Sequence, residues 1–306
     1  MYTILGANGI IATELAKSLH QMKLPVRLVS RNPKIVAQGD ELFQADLLDA
    51  EACKNAVKGS EMVFLTVGLQ YNTKIWQNNW PKLIENVVRA CQLNQVKLVF
   101  FDNVYLYGKV LGEMTENTPI NPCSKKGEVR ARVAEFLVKE MGNAQLIGRS
   151  ADFIGHTDLS FISELVFKRM AAGKAAQWML SPDLLHNYTY VKDAGKALAM
   201  LATHAESFGQ VWHLPSDSNY INGRRLVEIS AEVLQVPNKV KPIPKFMLAT
   251  LGLFIPVIKE SMEMLYQLEN PYLFSSSKFD VHFGLITTPI EKVIHETALS
   301  YRSISI

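Results

Sequence analysis

The stretch Tyr2-Thr3-Ile4-Leu5-Gly6-Ala7-Asn8-Gly9-Ile10-Ile11-Ala12-Thr13 decides how the rest of the chain reads. A short β-prone run, Tyr2 to Leu5, meets Gly6-Ala7-Asn8-Gly9, and an apolar-periodic run of helical length follows. Strand, tight glycine turn and helix in that order are the opening of a dinucleotide-binding βα unit, with the diphosphate at the helix N-terminus. Gly6 can turn at either sign of φ. Gly9 keeps a Cβ away from a pyrophosphate, and Ala12 lets the helix lie close on the strand. Asn8, Ile10 and Ile11 complete the candidate binding turn, since the first N–H groups of a helix have no partner within it. The spacing is G-x-x-G-x-x-A, not G-x-G-x-x-G, and a purely structural βα turn is the competing explanation.

Working outward, a helix is expected over about 10–21 and a strand over Pro25 to Ser30. Further strands are expected at Glu41 to Ala45, Met62 to Val67 and Lys97 to Phe101, and again at Ala144 to Arg149. Helices separate them: one after Asp49, a long amphipathic one over about 78–94, and one over about 125–141. Apolar strands alternating with helices mean a parallel sheet covered on both faces, and right-handed crossovers make it doubly wound. Past Ser150 the rhythm breaks. Asp193 reads as the cap of a helix, Val211 to Leu214 as one more strand, and proline-punctuated helices follow at 223–234, 245–253, 258–267 and 289–301. The expected fold is therefore α/β: a Rossmann-type doubly wound parallel sheet with a smaller, mainly helical C-terminal substrate lobe. The nucleotide-binding domain takes 1–150 and receives about 191–214; the lobe takes 151–190 and 215–306.

Composition bounds the rest. The 306 residues are 48% hydrophobic and 20% charged, enough for a sizeable core. A net charge of +3 is too mild to imply nucleic acid or an anionic membrane as partner. Cys53, Cys91 and Cys123 are odd in number and lack C-x-x-C spacing, which points to reduced thiols and no zinc site. The histidines His156, His204, His213, His282 and His295 show no ligand spacing, so no metal is expected. The greasiest run, Phe246 to Ile258, contains Gly252 and Pro256 and is too short to span a bilayer. A soluble cytoplasmic protein without stable membrane insertion is the expectation.

Arg31 follows the second strand, where such folds meet the adenine ribose. An acid there accepts from a 2′-hydroxyl; an arginine pairs with a 2′-phosphate. No Asp or Glu lies between Val29 and Lys34, so NADP is favoured over NAD. Asp46 either touches the adenine or caps a turn. Leu47 beside it, and Thr66, Val67 and Gly68 at the end of the fourth strand, are the remaining candidate cofactor contacts.

The glycine turn, Asp46-Leu47, Tyr107-Gly108, Thr115-Glu-Asn-Thr-Pro119, Gly148-Arg149-Ser150 through Gly155, His186 to Asp193, and Ser276-Ser277-Lys278 to Gly284 before Thr288-Pro289 form a pattern. It resembles the extended short-chain dehydrogenase/reductases of the NAD-dependent epimerase/dehydratase type, almost end to end. The resemblance implies a Rossmann domain, a C-terminal substrate lobe and a small-molecule substrate. It also implies Tyr-x-x-x-Lys, whose lysine lowers the tyrosine pKa for proton transfer as hydride moves. Here the segment reads Cys123-Ser-Lys-Lys-Gly-Glu-Val-Arg130, and Lys126 and Arg130 fall in those two places. No tyrosine lies between Tyr107 and Tyr188, and Asp102-Asn103 stands where the family has Ser-Ser or Ser-Thr. The pattern is thus similar to an atypical branch that keeps the glycine turn and loses the tyrosine.

Candidate catalytic residues are Lys126, Asn103, Arg130 and Tyr107. Lys126, with cationic neighbours Lys125 and Arg130, is a candidate general acid/base; the opposing reading makes Lys126 and Arg130 solvated helix positions. Arg130 could hold the cofactor ribose, and Tyr107 sits either at the mouth of the site or in the core. His186 replaces a family arginine that faces substrate phosphate, against a nucleotide-sugar substrate. Tyr71, Trp76 and Trp80 wall the nicotinamide end or simply pack. Two functions stand: an NADP-dependent reductase, epimerase or dehydratase acting on a small carbonyl or hydroxyl compound, and a regulator that senses the cofactor without turning it over. A third is an accessory protein at a membrane surface through Phe246 to Ile258, unless that run packs inside. A homodimer through the helices near 78–94 and 125–141 is possible by resemblance, although Lys125, Lys126, Arg130, Arg132 and Lys139 load one of them with positive charge.

Overall fold

The computed structural model describes residues 1–156, 160–284 and 286–302; the parts of the expected lobe at 157–159, 285 and 303–306 lie outside them. The chain divides into two compact units. The first comprises Met1–Gly108, Pro119–Ser150 and Val191–Leu214; the second comprises Lys109–Thr118, Ala151–Tyr190 and Pro215–Ile306.

The first unit is built on seven parallel strands: β1 Tyr2–Leu5, β2 Val26–Ser30, β3 Glu41–Gln44, β4 Met62–Leu65, β5 Lys97–Asn103, β6 Gln145–Ser150 and β7 Val211–His213. Their order is β7-β6-β5-β4-β1-β2-β3, with Ile4 level with Leu28 on one side and Phe64 on the other. Reversal of direction at β1 makes the sheet doubly wound, as the alternation of apolar runs implied. β1 and β4 are buried throughout, whereas β3, the edge, is mostly exposed.

Helices α1 Ile10–Gln21, α2 Ala50–Val57, α3 Thr73–Asn94, α4 Lys125–Met141 and α5 Val191–Ala202 flank the sheet. α3 and α4 bury Trp80, Val87, Val133 and Leu137 in one core cluster with Val63 and Leu65 of β4 and Leu98 and Phe100 of β5. α1 and α5 pack against each other because Gly195 has no side chain: a Cβ there would stand 2.5 Å from the Glu14 carbonyl carbon.

Two helix boundaries differ from expectation. α3 begins at Thr73, capped by the Asn72 side chain on Ile75 N–H, and carries Pro81 within it. Asn78, Asn79 and Pro81 imitate a helix start, but Pro81 lies within the helix at an exposed position. α5 begins at Val191, so Asp193 lies inside its first turn, buried, and is not the cap.

The second unit holds helices Gly223–Leu234, Lys245–Gly252, Pro256–Ser261 and Ile290–Arg302. The helix expected at 258–267 is instead the end of Pro256–Ser261 followed by a 3-10 stretch, Met262–Leu268. Four two-stranded ladders join these helices, among them Ala176–Met179 with Val240–Ile243 and Glu113–Met114 with Leu273–Phe274. Such short strands are too brief for period-two patterning to show. The run Phe246 to Ile258 packs on one side only: Leu248 is buried, with Ile258 packed on the same core, while Phe246, Leu253, Phe254 and Val257 are exposed. Among the described residues no helix is long and apolar enough to cross a membrane.

Candidate functional site

The candidate cofactor-binding and catalytic residues lie in the first unit, and His186 lies in the second. The parallel sheet brings the residues after β1, β2, β4 and β5 to its carboxyl edge, where open α/β sheets bind ligands.

The turn after β1 is the best defined part. Gly6 has φ +99, and a Cβ on it would meet Val67 N at 2.7 Å and Val67 Cα at 2.8 Å. Only glycine fits. The N–H groups of Gly6 and Ala7 donate to Val29 O at 2.9 and 3.0 Å. Gly9 is the N-cap of α1, with φ −69 and no side-chain cap. A Cβ there would find its nearest atom, Gly6 O, at 3.5 Å, which is ordinary contact. The chain itself gives no steric reason to exclude a side chain at Gly9. Space at that point suits a diphosphate approaching the N–H groups of Ile10 and Ile11, ahead of the first helical bond from Thr13 N to Gly9 O at 2.9 Å. No acid occupies the first turn to repel it. Ile11 is buried in the core and offers only its backbone.

Asn8 is bonded within the chain through its side chain. It sits at φ 77, and its side-chain nitrogen donates to Asn32 O at 2.7 Å while its oxygen accepts from Lys34 N at 3.0 Å. Its side chain thus holds the loop that carries Arg31. Arg31 and Lys34 are both exposed on that loop.

Other candidates use their polar groups on the fold. Asp46 Oδ1 accepts from Leu48 N at 3.0 Å, the turn-capping alternative. Leu47 is buried, and its carbonyl accepts from Asn86 Nδ2 at 3.0 Å. Thr66 ties β4 to β1, with N and Oγ1 both donating to Leu5 O at 2.9 and 3.1 Å. Val67 backs Gly6, and Gly68 is exposed with open space beside it.

The four catalytic candidates separate. Asn103 Oδ1 accepts from Tyr105 N at 3.1 Å and turns the chain after β5. Tyr107 is 1% exposed, a core residue and not one at the mouth of a site. Arg130 is buried, neither solvated nor open to a ribose: its Nε donates to Asp102 Oδ1 at 2.8 Å, Nη2 bonds the same oxygen, and the guanidinium lies 4.4 Å over Trp80. Lys126 is fully buried, overturning the solvated reading; its Nζ donates to Thr73 Oγ1 at 2.9 Å and lies 4.6 Å over the Tyr71 ring. Lys125 faces solvent, and Arg130 is paired with Asp102. Trp76 and Trp80 are buried and stack edge-on at 6.2 Å, as packing residues.

Sequence reasoning missed the partners. Asp102 on β5 also accepts from Arg149 Nε on β6 at 3.1 Å, through Oδ2. Arg149 Nη1 donates to Tyr107 Oη at 3.0 Å, and Tyr107 Oη is 2.9 Å from His213 Nε2 on β7. Burial pulls the Arg149 pKa down, but Asp102 and Tyr107 outweigh it and the net shift is upward. The signal, an acid and a base each on an apolar strand, becomes informative only once the strands are known to be neighbours. In the second unit His186 is buried, bound to Asp152 Oδ2 at 3.0 Å and stacked on Tyr272. Among the described residues no group of three or more His, Cys, Asp or Glu side chains could hold a metal ion.

Residues 6–126 match a family model described as NAD(P)H-binding. No curated protein matches the chain in sequence. Solved structures do match in fold. The UDP-glucose 4-epimerase of Thermus thermophilus in complex with NAD superposes with a TM-score of 0.80 at 17% identity, covering 98% of each chain. The UDP-glucuronic acid 4-epimerase of Bacillus cereus in complex with NAD gives 0.81 at 12% identity over 100% of both chains. A dTDP-glucose 4,6-dehydratase from Streptomyces venezuelae gives 0.79 at 13% identity, covering 99% of this chain and 97% of the other. The chain therefore has the fold of these epimerases and the dehydratase, with an NAD(P)H-binding sequence signature over the segment that contains the glycine turn.

Proposed function

We propose that the chain binds a nicotinamide dinucleotide across the β1–α1 turn, NADP in preference to NAD. We further propose that it acts as an oxidoreductase, epimerase or dehydratase on a small carbonyl or hydroxyl substrate. In this reading it is an atypical extended short-chain dehydrogenase/reductase without the Tyr-x-x-x-Lys couple. The observation that carries the reading is Gly9, a helix N-cap with no side-chain cap, where a Cβ would meet nothing nearer than Gly6 O at 3.5 Å. All three solved structures named above carry NAD. The preference for NADP here rests on exposed Arg31 and Lys34, and on a loop from Ser30 to Lys34 without an acid.

A bound nicotinamide would supply a hydride acceptor or donor. The first N–H groups of α1 would hold the diphosphate, and Arg31 would present its planar fork to a 2′-phosphate. Lys126 is the group proposed to hold and move a proton: a buried ammonium set by Thr73 and the Tyr71 ring. Arg130 and Tyr107 serve the fold around it. His186 in place of an arginine weighs against a nucleotide sugar.

Titration with NADPH and NADH, followed by fluorescence, tests binding, and loss of NADPH absorbance with a panel of carbonyl compounds tests turnover. Binding of NADPH that Gly9→Val abolishes, with substrate-dependent oxidation that Lys126→Met removes, is expected. Neither coenzyme binding would reject the proposal. Tight NADPH binding without oxidation of any compound would leave the cofactor-sensing regulator as the better reading.

A further inference from the structure

The helices Lys245–Gly252 and Pro256–Ser261 form a hairpin in the second unit. They meet at Gly252, where a Cβ would lie 3.3 Å from Lys259 Cα. One side of the hairpin is anchored. Leu248 joins Ile243, Leu265 and Leu268 in a small core, with Ile258 and Met262 packed on it. The other side is apolar and uncovered: Phe246 is 71% exposed, Leu253 79%, Phe254 80% and Val257 57%. The fold does not need these side chains, since they contribute nothing to that core, and leaving four large hydrophobes together in water is unfavourable.

The charge on and beside the hairpin is predominantly positive. From Asn238 to the end of the hairpin at Ser261 the chain contains Lys239, Lys241, Lys245 and Lys259 against one acid, Glu260. All four lysines are exposed, and Lys245 reaches Glu269 at 2.6 Å. The overall charge of +3 conceals this cluster because acids elsewhere offset it. Bulky apolar side chains bordered by lysines are the composition of an element that lies in a membrane interface.

We propose that this hairpin is a peripheral docking surface for a bilayer containing anionic phospholipid. Phe246, Leu253, Phe254 and Val257 enter the boundary between headgroups and acyl chains, while Lys239, Lys241 and Lys259 remain among the phosphates. Neither helix is long enough to span a bilayer, so the association is reversible. A second copy of the chain fits the surface less well. Pairing this face with itself would bring two clusters of lysines together with Glu260 as the hairpin's single acid against them. The inference stands apart from the nucleotide reading, because none of its residues belongs to the first unit.

Co-sedimentation of the full chain with phosphatidylcholine vesicles, with and without phosphatidylglycerol, tests it. The protein is expected to pellet with the anionic vesicles and to be released several-fold by high salt. Leu253→Ser with Phe254→Ser should lower partitioning about tenfold or more. Lys239→Glu with Lys241→Glu should lower it roughly fivefold or more. These side chains are exposed, so circular dichroism and the melting temperature should match the parent protein and separate lost docking from lost folding. Equal recovery from neutral and anionic vesicles, or none from either, overturns the proposal. A concentration-dependent dimer that the Leu253/Phe254 variant dissociates, without vesicle binding, also overturns it and assigns the face to a second copy.

Discussion

Two places in the first unit use polar groups in opposite ways. At the turn after β1, backbone N–H groups at the start of α1 lie beside the small residue Gly9, with room left over. At the ends of β5 and β6, the charged side chains of Asp102, Arg130 and Arg149 are buried and bonded to one another. The first arrangement suits a ligand that brings its own negative charge. The second is already answered within the chain, which makes it structural. A buried charge is therefore not by itself a sign of chemistry; what matters is whether the fold has supplied the partner.

The largest effect should come from removing the shared partner. Asp102→Ala leaves two guanidiniums facing each other in the interior, at a cost of about 3–5 kcal/mol. Urea unfolding would measure it, and Asp102→Asn, which keeps a hydrogen-bond acceptor, should lose less. A normal unfolding midpoint for Asp102→Ala would break the contrast, because the cluster would then be dispensable to the fold.

The glycine turn can be dissected by two substitutions that look alike. Gly6→Ala forces a Cβ at φ +99 to within 2.7 Å of Val67 N, and should cost about 1–3 kcal/mol of stability. Gly9→Ala meets nothing nearer than 3.5 Å, and should change stability by less than about 1 kcal/mol. Its effect should appear in NADPH affinity instead. Equal destabilisation by both would mean that Gly9, too, serves only the fold.

Arg31 gives a smaller, purely ligand-dependent effect. It is exposed, so Arg31→Ala should leave the melting temperature unchanged. Loss of a charge-assisted fork to a 2′-phosphate should weaken NADPH by roughly tenfold or more, with NADH little affected. An identical loss for both coenzymes would count against the 2′-phosphate assignment.

The uneven legibility of this unit has the same origin. Gly6 and Gly9 were readable because a turn beside a strand imposes local rules that a short window contains. The strands of the sheet were readable because burial on both faces leaves an apolar run. Asp102, Arg149 and His213 were not assembled, since their pairing depends on which strands are neighbours, and β5, β6 and β7 are far apart in sequence. Lys126 and Arg130 were placed on the correct helix, but their burial was not visible in a segment as charged as Lys125–Arg132. For the hairpin after Lys245, composition alone could not separate a packed apolar run from an exposed one.

The thiols give the smallest and slowest effect, and show how burial is met when no opposite charge is supplied. Arg149 keeps a raised pKa because Asp102 and Tyr107 outweigh burial. Cys53 is buried near Asp49 and Asp46, and desolvation followed by those acids pushes its pKa from 9.0 to about 12. Burial likewise raises Cys91. A thiol whose folded pKa exceeds its unfolded value stays protonated in the fold after the unfolded chain has released its proton. Its contribution to stability is therefore complete below pH 9 and declines as pH rises toward 12. From Cys53 alone the loss should reach about 1 kcal/mol near pH 10, measurable as a falling urea midpoint that Cys53→Ala flattens. At neutral pH a thiol reagent should label Cys123, the exposed cysteine, quickly and leave Cys53 and Cys91 until the protein unfolds. Rapid labelling of all three would mean that the core beneath α2 and α3 opens readily, and the closeness of packing around the charge cluster would need revision with it.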